Sequence, residues 1–144
     1  MTDPLAPLEP ARRQLIRDIL DMPFHRFAGL RLIDLGADGA SIGFRASDAL
    51  LTPGGYLHGG IMAGLLEPVT LLASIMHLAA DEMPVTIDEH VQHLRAVQGG
   101  AEVIVRGRML RRSKRLLFCE SEAIVDGAQM SVARMTKAIN KVDH

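Results

Sequence analysis

A run of 22 residues, Gly59 to Ala80, carries one formal charge, Glu67, and that charge is followed at once by Pro68. At about 1.5 Å of rise per residue such a run is long enough to cross a bilayer as a helix. It also holds Gly60 and Gly64 at the spacing that lets membrane helices approach closely. A mid-segment acid, which costs about 2.5 to 3.5 kcal/mol even on lenient insertion scales, argues against a span. So do the proline beside it and the absence of basic residues at either flank. The run is expected to be a buried helix with no membrane partner.

On a 3.6-residue period Gly60, Ala63, Gly64, Thr70, Leu71 and Ser74 share the face of Glu67. Most are small, whereas Ile61, Met62, Leu65, Leu66, Val69, Leu72 and Met76 are bulky enough to fill a core. Glu67 is therefore expected on a narrow stripe that a backbone, a ligand or a partner subunit could approach. Pro68 cannot donate to the carbonyl of Gly64 and its ring would collide with it, so a kink is expected beside the acid. Two readings of Glu67 follow. It is a functional carboxylate whose basicity rises in an apolar pocket, or a structural acid in a buried ion pair or facing water through an opening.

His58-Gly59-Gly60 precedes this run. Two residues without Cβ atoms at a helix N-terminus expose N–H groups at the positive end of the macrodipole, a place suited to a carbonyl oxygen gaining negative charge.

Elsewhere the chain alternates between periods. Residues 1–22 read as a proline-punctuated tail and a short amphipathic helix, with Leu15, Ile16, Ile19 and Leu20 on one face. Two strand candidates follow, joined by Ala37-Asp38-Gly39, and then the glycine-rich loop "LTPGGYLHGG". From Pro84 onward "VTIDEHVQHL", "AEVIVRGRML", "RLLFCESEAIV" and "MSVARMTKAI" have the period of strands. Asp126-Gly127 is a tight-hairpin signal between the last two. Leu116, Phe118 and Ile124, with Val103, Val105 and Met109, mark their covered face. The order predicts an α+β fold, an antiparallel sheet wrapped around one long central helix, in a single domain over 1–144 with its core at 24–140.

The spacing "HGGIMAGLLE" within this element order resembles the hotdog-fold acyl-CoA thioesterases of the PaaI and 4-hydroxybenzoyl-CoA thioesterase type. The resemblance spans roughly residues 24–140. It implies hydrolysis of an acyl-CoA or similar pantetheine thioester, with Glu67 as nucleophile or general base. The same resemblance implies that Gly59 and Gly60 would polarise the thioester carbonyl, that His58 would shape the loop, and that Thr86 in "PVTIDEHV" would orient water. It further implies no cofactor beyond coenzyme A as part of the substrate, and a homodimer or homotetramer with sites between subunits. Two positions depart from the pattern: Thr52 stands where many relatives carry asparagine, and Pro68 is not part of the motif. A non-catalytic acyl-CoA-binding or assembly module, and a hotdog hydratase or dehydratase, are the alternatives.

Arg106, Arg108, Arg111, Arg112, Lys114 and Arg115 put six basic residues within ten positions. They are candidates for the phosphates of coenzyme A, with Arg111, Arg112 and Arg115 foremost, or a solvated strand edge. Tyr56 and Thr52 beside the motif, and His90 on the strand of Thr86, are candidate substrate contacts. Residues 101–144 carry 9 basic and 5 acidic side chains against 7 and 12 in residues 1–100. With a net charge of -1 and Phe118 as the only aromatic near the basic patch, no nucleic-acid partner is expected. His90 and His93 fall on opposite faces of a strand and no metal is expected. Ser41 in Gly39-Ala40-Ser41-Ile42-Gly43 lacks the strand-turn-helix setting of a nucleophile elbow. One cysteine, Cys119, and an N-terminus lacking the signal-peptide pattern suggest a cytoplasmic protein.

Overall fold

The computed structural model describes residues 2–143. Helix α1 (Pro10–Leu20) starts on a proline whose missing N–H costs nothing there, and it buries Ile16 and Ile19. A second short helix, α2 (Pro23–Ala28), was not expected from periodicity. It begins on Pro23 and ends on Gly29 in the left-handed region, φ 73°.

Six strands form one sheet: β1 (Arg31–Gly36), β2 (Gly39–Arg45), β3 (Glu82–His93), β4 (Glu102–Arg112), β5 (Leu116–Val125) and β6 (Ala128–Lys141). Their order is β1-β2-β4-β5-β6-β3, and every neighbouring pair is antiparallel. The β5–β6 turn is Asp126-Gly127, with φ 48° and 78°, the two positive values that a tight right-twisting hairpin requires.

The sheet curls around the central helix, which is two pieces: α3 (Gly59–Leu66) and α4 (Pro68–Ile75). The expected kink lies between them, with Glu67 at the junction. α4 ends at Ile75, short of Ala80, where the apolar run ends. Side chains satisfy the carbonyls freed by the break. Ser121 Oγ donates to Leu66 O at 2.8 Å, and Thr70 donates to Glu67 O through both Oγ1 at 2.7 Å and its N–H at 3.0 Å.

Ile42, Phe44, Val103, Val105, Leu117, Cys119 and Ala123 line the inner face of the sheet against Leu65, Leu66, Val69 and Leu72. β5 corrects the sequence reading: Leu117, Cys119, Ser121 and Ala123 point inward, so Leu116, Phe118 and Ile124 occupy the opposite, half-buried face. The small-residue stripe is also not left open. Thr70 and Ser74 are fully buried, and Phe24 of α2 lies against Gly64, its ring atoms 3.1 Å from where a Cβ would stand. Among the described residues no helix is long and apolar enough to cross a membrane.

Candidate active site

The loop before α3 is held at several points. Leu57 is buried, its N–H donates to Val97 O at 2.8 Å, and the His58 N–H donates to Leu50 O at 2.9 Å. Thr52 and Tyr56 close the intervening turn through a 2.7 Å bond from Thr52 N–H to Tyr56 O, leaving the Tyr56 ring half exposed.

His58 then caps α3. The N–H of Gly60 donates to His58 Nδ1 at 2.9 Å, so Nδ1 presents its lone pair and the ring's own proton sits on Nε2. The two glycine amides thereby become unequal: Gly60 is engaged, whereas Gly59 N–H has no partner among the described residues. The His93 ring packs on Gly59, with Nε2 3.3 Å from the position of a Cβ, while its Nδ1 lies 2.9 Å from Ser131 Oγ. A cavity of about 300 Å³ opens at this helix start, lined in part by Leu57, Gly59, Met62, His93 and Ser131.

Glu67 lies in a different cluster. Its Oε1 accepts from Thr86 Oγ1 at 3.0 Å and from Lys137 Nζ at 2.5 Å, and Lys137 also donates to Thr86 Oγ1 at 2.9 Å. The Lys137 side chain is 1% exposed and that of Glu67 28%. Of the two settings expected for Glu67, an apolar pocket or a buried ion pair, the structure has the ion pair, with a buried ammonium as the partner. The Thr86 hydroxyl, expected to orient water, gives its proton to Glu67 itself. Glu67 is thus both ion-paired and open: Oε1 is clamped, and Oε2 accepts no hydrogen bond from any described residue.

Register explains these partners. Thr86 is paired with Lys137 across β3 and β6, and Lys137 with Leu117 across β6 and β5, so all three occupy one row of the inner face. A bulge at Ile87 then shifts the alternation of β3. Glu89, paired with Met135, returns to the inner side, and His90, paired with Arg134, goes to the outer one. His90, expected beside Thr86, is therefore on the far side of the sheet. The carboxyl of Glu89 is raised above its ordinary value, first by desolvation and then by the charge of Glu67, with Lys137 acting in the opposite sense.

The basic run is divided. Arg112 donates to both oxygens of Glu82, at 3.0 and 2.7 Å, and to His77 O at 2.6 Å, which takes it out of the pool of phosphate ligands. Arg111 and Arg115 stay exposed with no side-chain partner among the described residues. Arg108 pairs with Glu120, as does Arg134, in a concavity of about 810 Å³ on the outer face with His90 and Gln92. The groups around Glu67 are absent from its lining, so size alone does not mark the site.

Sequence reading missed Lys137, Glu89 and the contact of His93 with Gly59. A signal for Lys137 exists in β6: Ala133, Met135, Lys137 and Ile139 alternate with Arg134, Thr136 and Ala138, placing one cation on the apolar face.

Comparison with known proteins bears on the fold and the family. No curated protein matches the chain by sequence. A thioesterase from Haemophilus influenzae aligns with a TM-score of 0.82 at 20% identity, over 91% of this chain and 92% of that one. A conserved protein from Pseudomonas aeruginosa aligns at 0.79 and 26% identity, over 86% and 98%. A variant of the phenylacetic acid degradation protein PaaI from Thermus thermophilus aligns at 0.75 and 22%, over 81% and 98%. These likenesses support the hotdog arrangement of sheet and helix. The model of the thioesterase superfamily matches residues 54–130, more than half of the chain and a span that includes the His58-Gly59-Gly60 start, Glu67 and Thr86. With its six-stranded sheet closed around a broken helix, the chain belongs to the thioesterase superfamily.

Proposed function

We propose that the protein hydrolyses an acyl-CoA, or a similar pantetheine thioester, to free acid and thiol. The observation that carries this reading is Glu67: a carboxylate with Oε1 held by Thr86 and Lys137 and Oε2 unengaged, in a chain of this superfamily. Glu67 Oε2 takes a proton from water as the water oxygen adds to the thioester carbon. The Gly59 N–H, rather than that of Gly60, meets the oxyanion. Collapse of the tetrahedral adduct breaks the C–S bond, and the proton held by Glu67 passes to the thiolate. Attack of Oε2 on the thioester carbon is the alternative route; both routes neutralise the charge that faces Lys137, and oxygen-18 from water incorporated into Glu67 in a single turnover would mark the nucleophilic one.

The site is shared between two copies of the chain. Glu67 is pinned at Thr86, whereas Gly59 lies against His93, seven residues along β3. Along α3 the eight residues from Gly59 to Glu67 rise about 12 Å, more than one carbonyl and its attacking water span, so the two groups do not meet one thioester within a single chain. Pairing of two chains, and further pairing of dimers as the hotdog resemblance implies, would bring one copy's Gly59 to the other's Glu67. Arg111 and Arg115 remain free for coenzyme A phosphates.

Free-thiol release from short, medium, long and aryl acyl-CoAs tests the activity. Glu67→Gln is expected to lose about 10²- to 10⁴-fold in turnover while still folding. Wild-type turnover in that variant would overturn the role of Glu67. Tight binding without thiol release would assign a binding module instead, and a change in enoyl absorbance would assign a hydratase.

A further inference from the structure

We infer that Lys137 is a positioning residue of this site: it fixes Oε1 of Glu67 so that Oε2 alone is presented to the reacting thioester and its water. The inference rests on the hydrolase reading above and adds to it a residue that the superfamily match, which ends at residue 130, does not include. A lysine with 1% of its side chain exposed is a costly feature for a sheet face that otherwise packs against helices. Its bonds show what it orients. Nζ lies 2.5 Å from Glu67 Oε1 and 2.9 Å from Thr86 Oγ1, and Thr86 Oγ1 lies 3.0 Å from the same Oε1. Each corner of this triangle touches the other two.

The Thr86 hydroxyl has one proton. Lys137 occupies one of its lone pairs as a donor, so the proton is directed to Glu67. Without the ammonium, the hydroxyl rotor is free to turn, and the carboxylate is free to rotate about its terminal bond, exchanging Oε1 and Oε2. With it, one oxygen is fixed in the sheet and the other faces the opening. Glu67 joins α3 and α4 with helical backbone angles, φ -80° and ψ -49°, and the direction of its carboxylate is left to the side-chain torsions. Lys137 reaches it from 70 residues away along the chain.

The test compares wild type with Lys137→Ala and Lys137→Met on an acyl-CoA that the wild type hydrolyses, following free thiol. The expected result is a kcat lower by about 10²-fold, as for displacement of a catalytic group by about 1 Å. KM should stay within about threefold, since substrate contacts are unchanged. Ethylammonium in the assay is expected to restore kcat of Lys137→Ala in proportion to its concentration, whereas neutral 1-propanol is not. Lys137→Met carries the test should the alanine variant not fold, because it fills the space without the charge. A folded Lys137→Met with wild-type kcat overturns the inference. So does a loss of kcat and KM together with no rescue by amine, or failure of both variants to fold, any of which assigns the lysine to the fold alone. If the wild type releases thiol from no acyl-CoA, the hydrolase reading falls and takes this role with it. Wild-type turnover combined with an indifferent Lys137 removes only the present inference.

Discussion

His58 accepts the Gly60 amide at Nδ1, and that one hydrogen bond decides which of two adjacent N–H groups is left for a ligand. The helix start after His58 was legible because paired glycines before an apolar run are a local feature, whereas the cap itself is shown by the structure. Lys137 was not legible in the same way. Its alternation with Met135 and Ala133 can be read from β6, but its partner is Glu67, and a contact across 70 residues has no local signature. Cys119 is the opposite case, since its place within a strand suggested a small core residue. It is 1% exposed, and burial pushes the thiol above its ordinary value, against the hydrogen bond with Ser74, which lowers it. The thiol therefore stays protonated at neutral pH and is shielded from reagents. Iodoacetamide is expected to leave the folded protein unlabelled by mass spectrometry and to add one group per chain in denaturant. Labelling of the native protein would contradict that placement.

At the scale of elements, the contact of α4 with β4 is the tightest constraint on where the helix lies. Gly107 is inward-facing, and a Cβ there would stand 2.6 Å from Val69 Cγ1 and 3.2 Å from Thr70 N. Val69 is β-branched and fully buried, and Thr70 N is backbone, so neither yields without moving α4. Gly107→Ala is expected to cost about 1 to 3 kcal/mol, the range for overpacking, as measured by urea unfolding. A cost near zero would show that α4 slides freely on the sheet. The helix itself was readable from its apolar run, and the break from Pro68. The inner face of β5 was not, because Leu116, Phe118 and Ile124 are as hydrophobic as the residues that face inward. Only the pairing of Cys119 with Met109 and Met135 fixes which set points to α4.

For the whole molecule, the two edges of the sheet differ in consequence. β3 is an edge strand that leaves Val85 and Ile87 50% and 58% exposed, and Ile87 lies at the bulge beside Thr86. An exposed apolar edge is a template for pairing with another chain. The shared site proposed above would place a second copy here. Light scattering is expected to give the mass of two chains or a multiple of two for the wild type. Ile87→Lys is expected to give about one chain and to lose thiol release with it, since a charge at an apolar contact opposes association. A one-chain wild type with full turnover would overturn the shared site.

The sequence by itself determined the local features: the buried apolar helix, the distortion at Pro68, the glycine-rich helix start after His58, the tight turn at Asp126-Gly127, and a run of strands enclosing one helix. Each follows from the period, stereochemistry or hydrogen bonding of residues close in the chain. Only the tertiary structure decided that Glu67 meets an ammonium rather than an apolar wall, that Thr86 serves the carboxylate, that Arg112 is bound to Glu82, and that His90 lies across the sheet from Thr86. Those outcomes depend on strand register, and one extra residue at Ile87 reverses every side chain that follows it on β3.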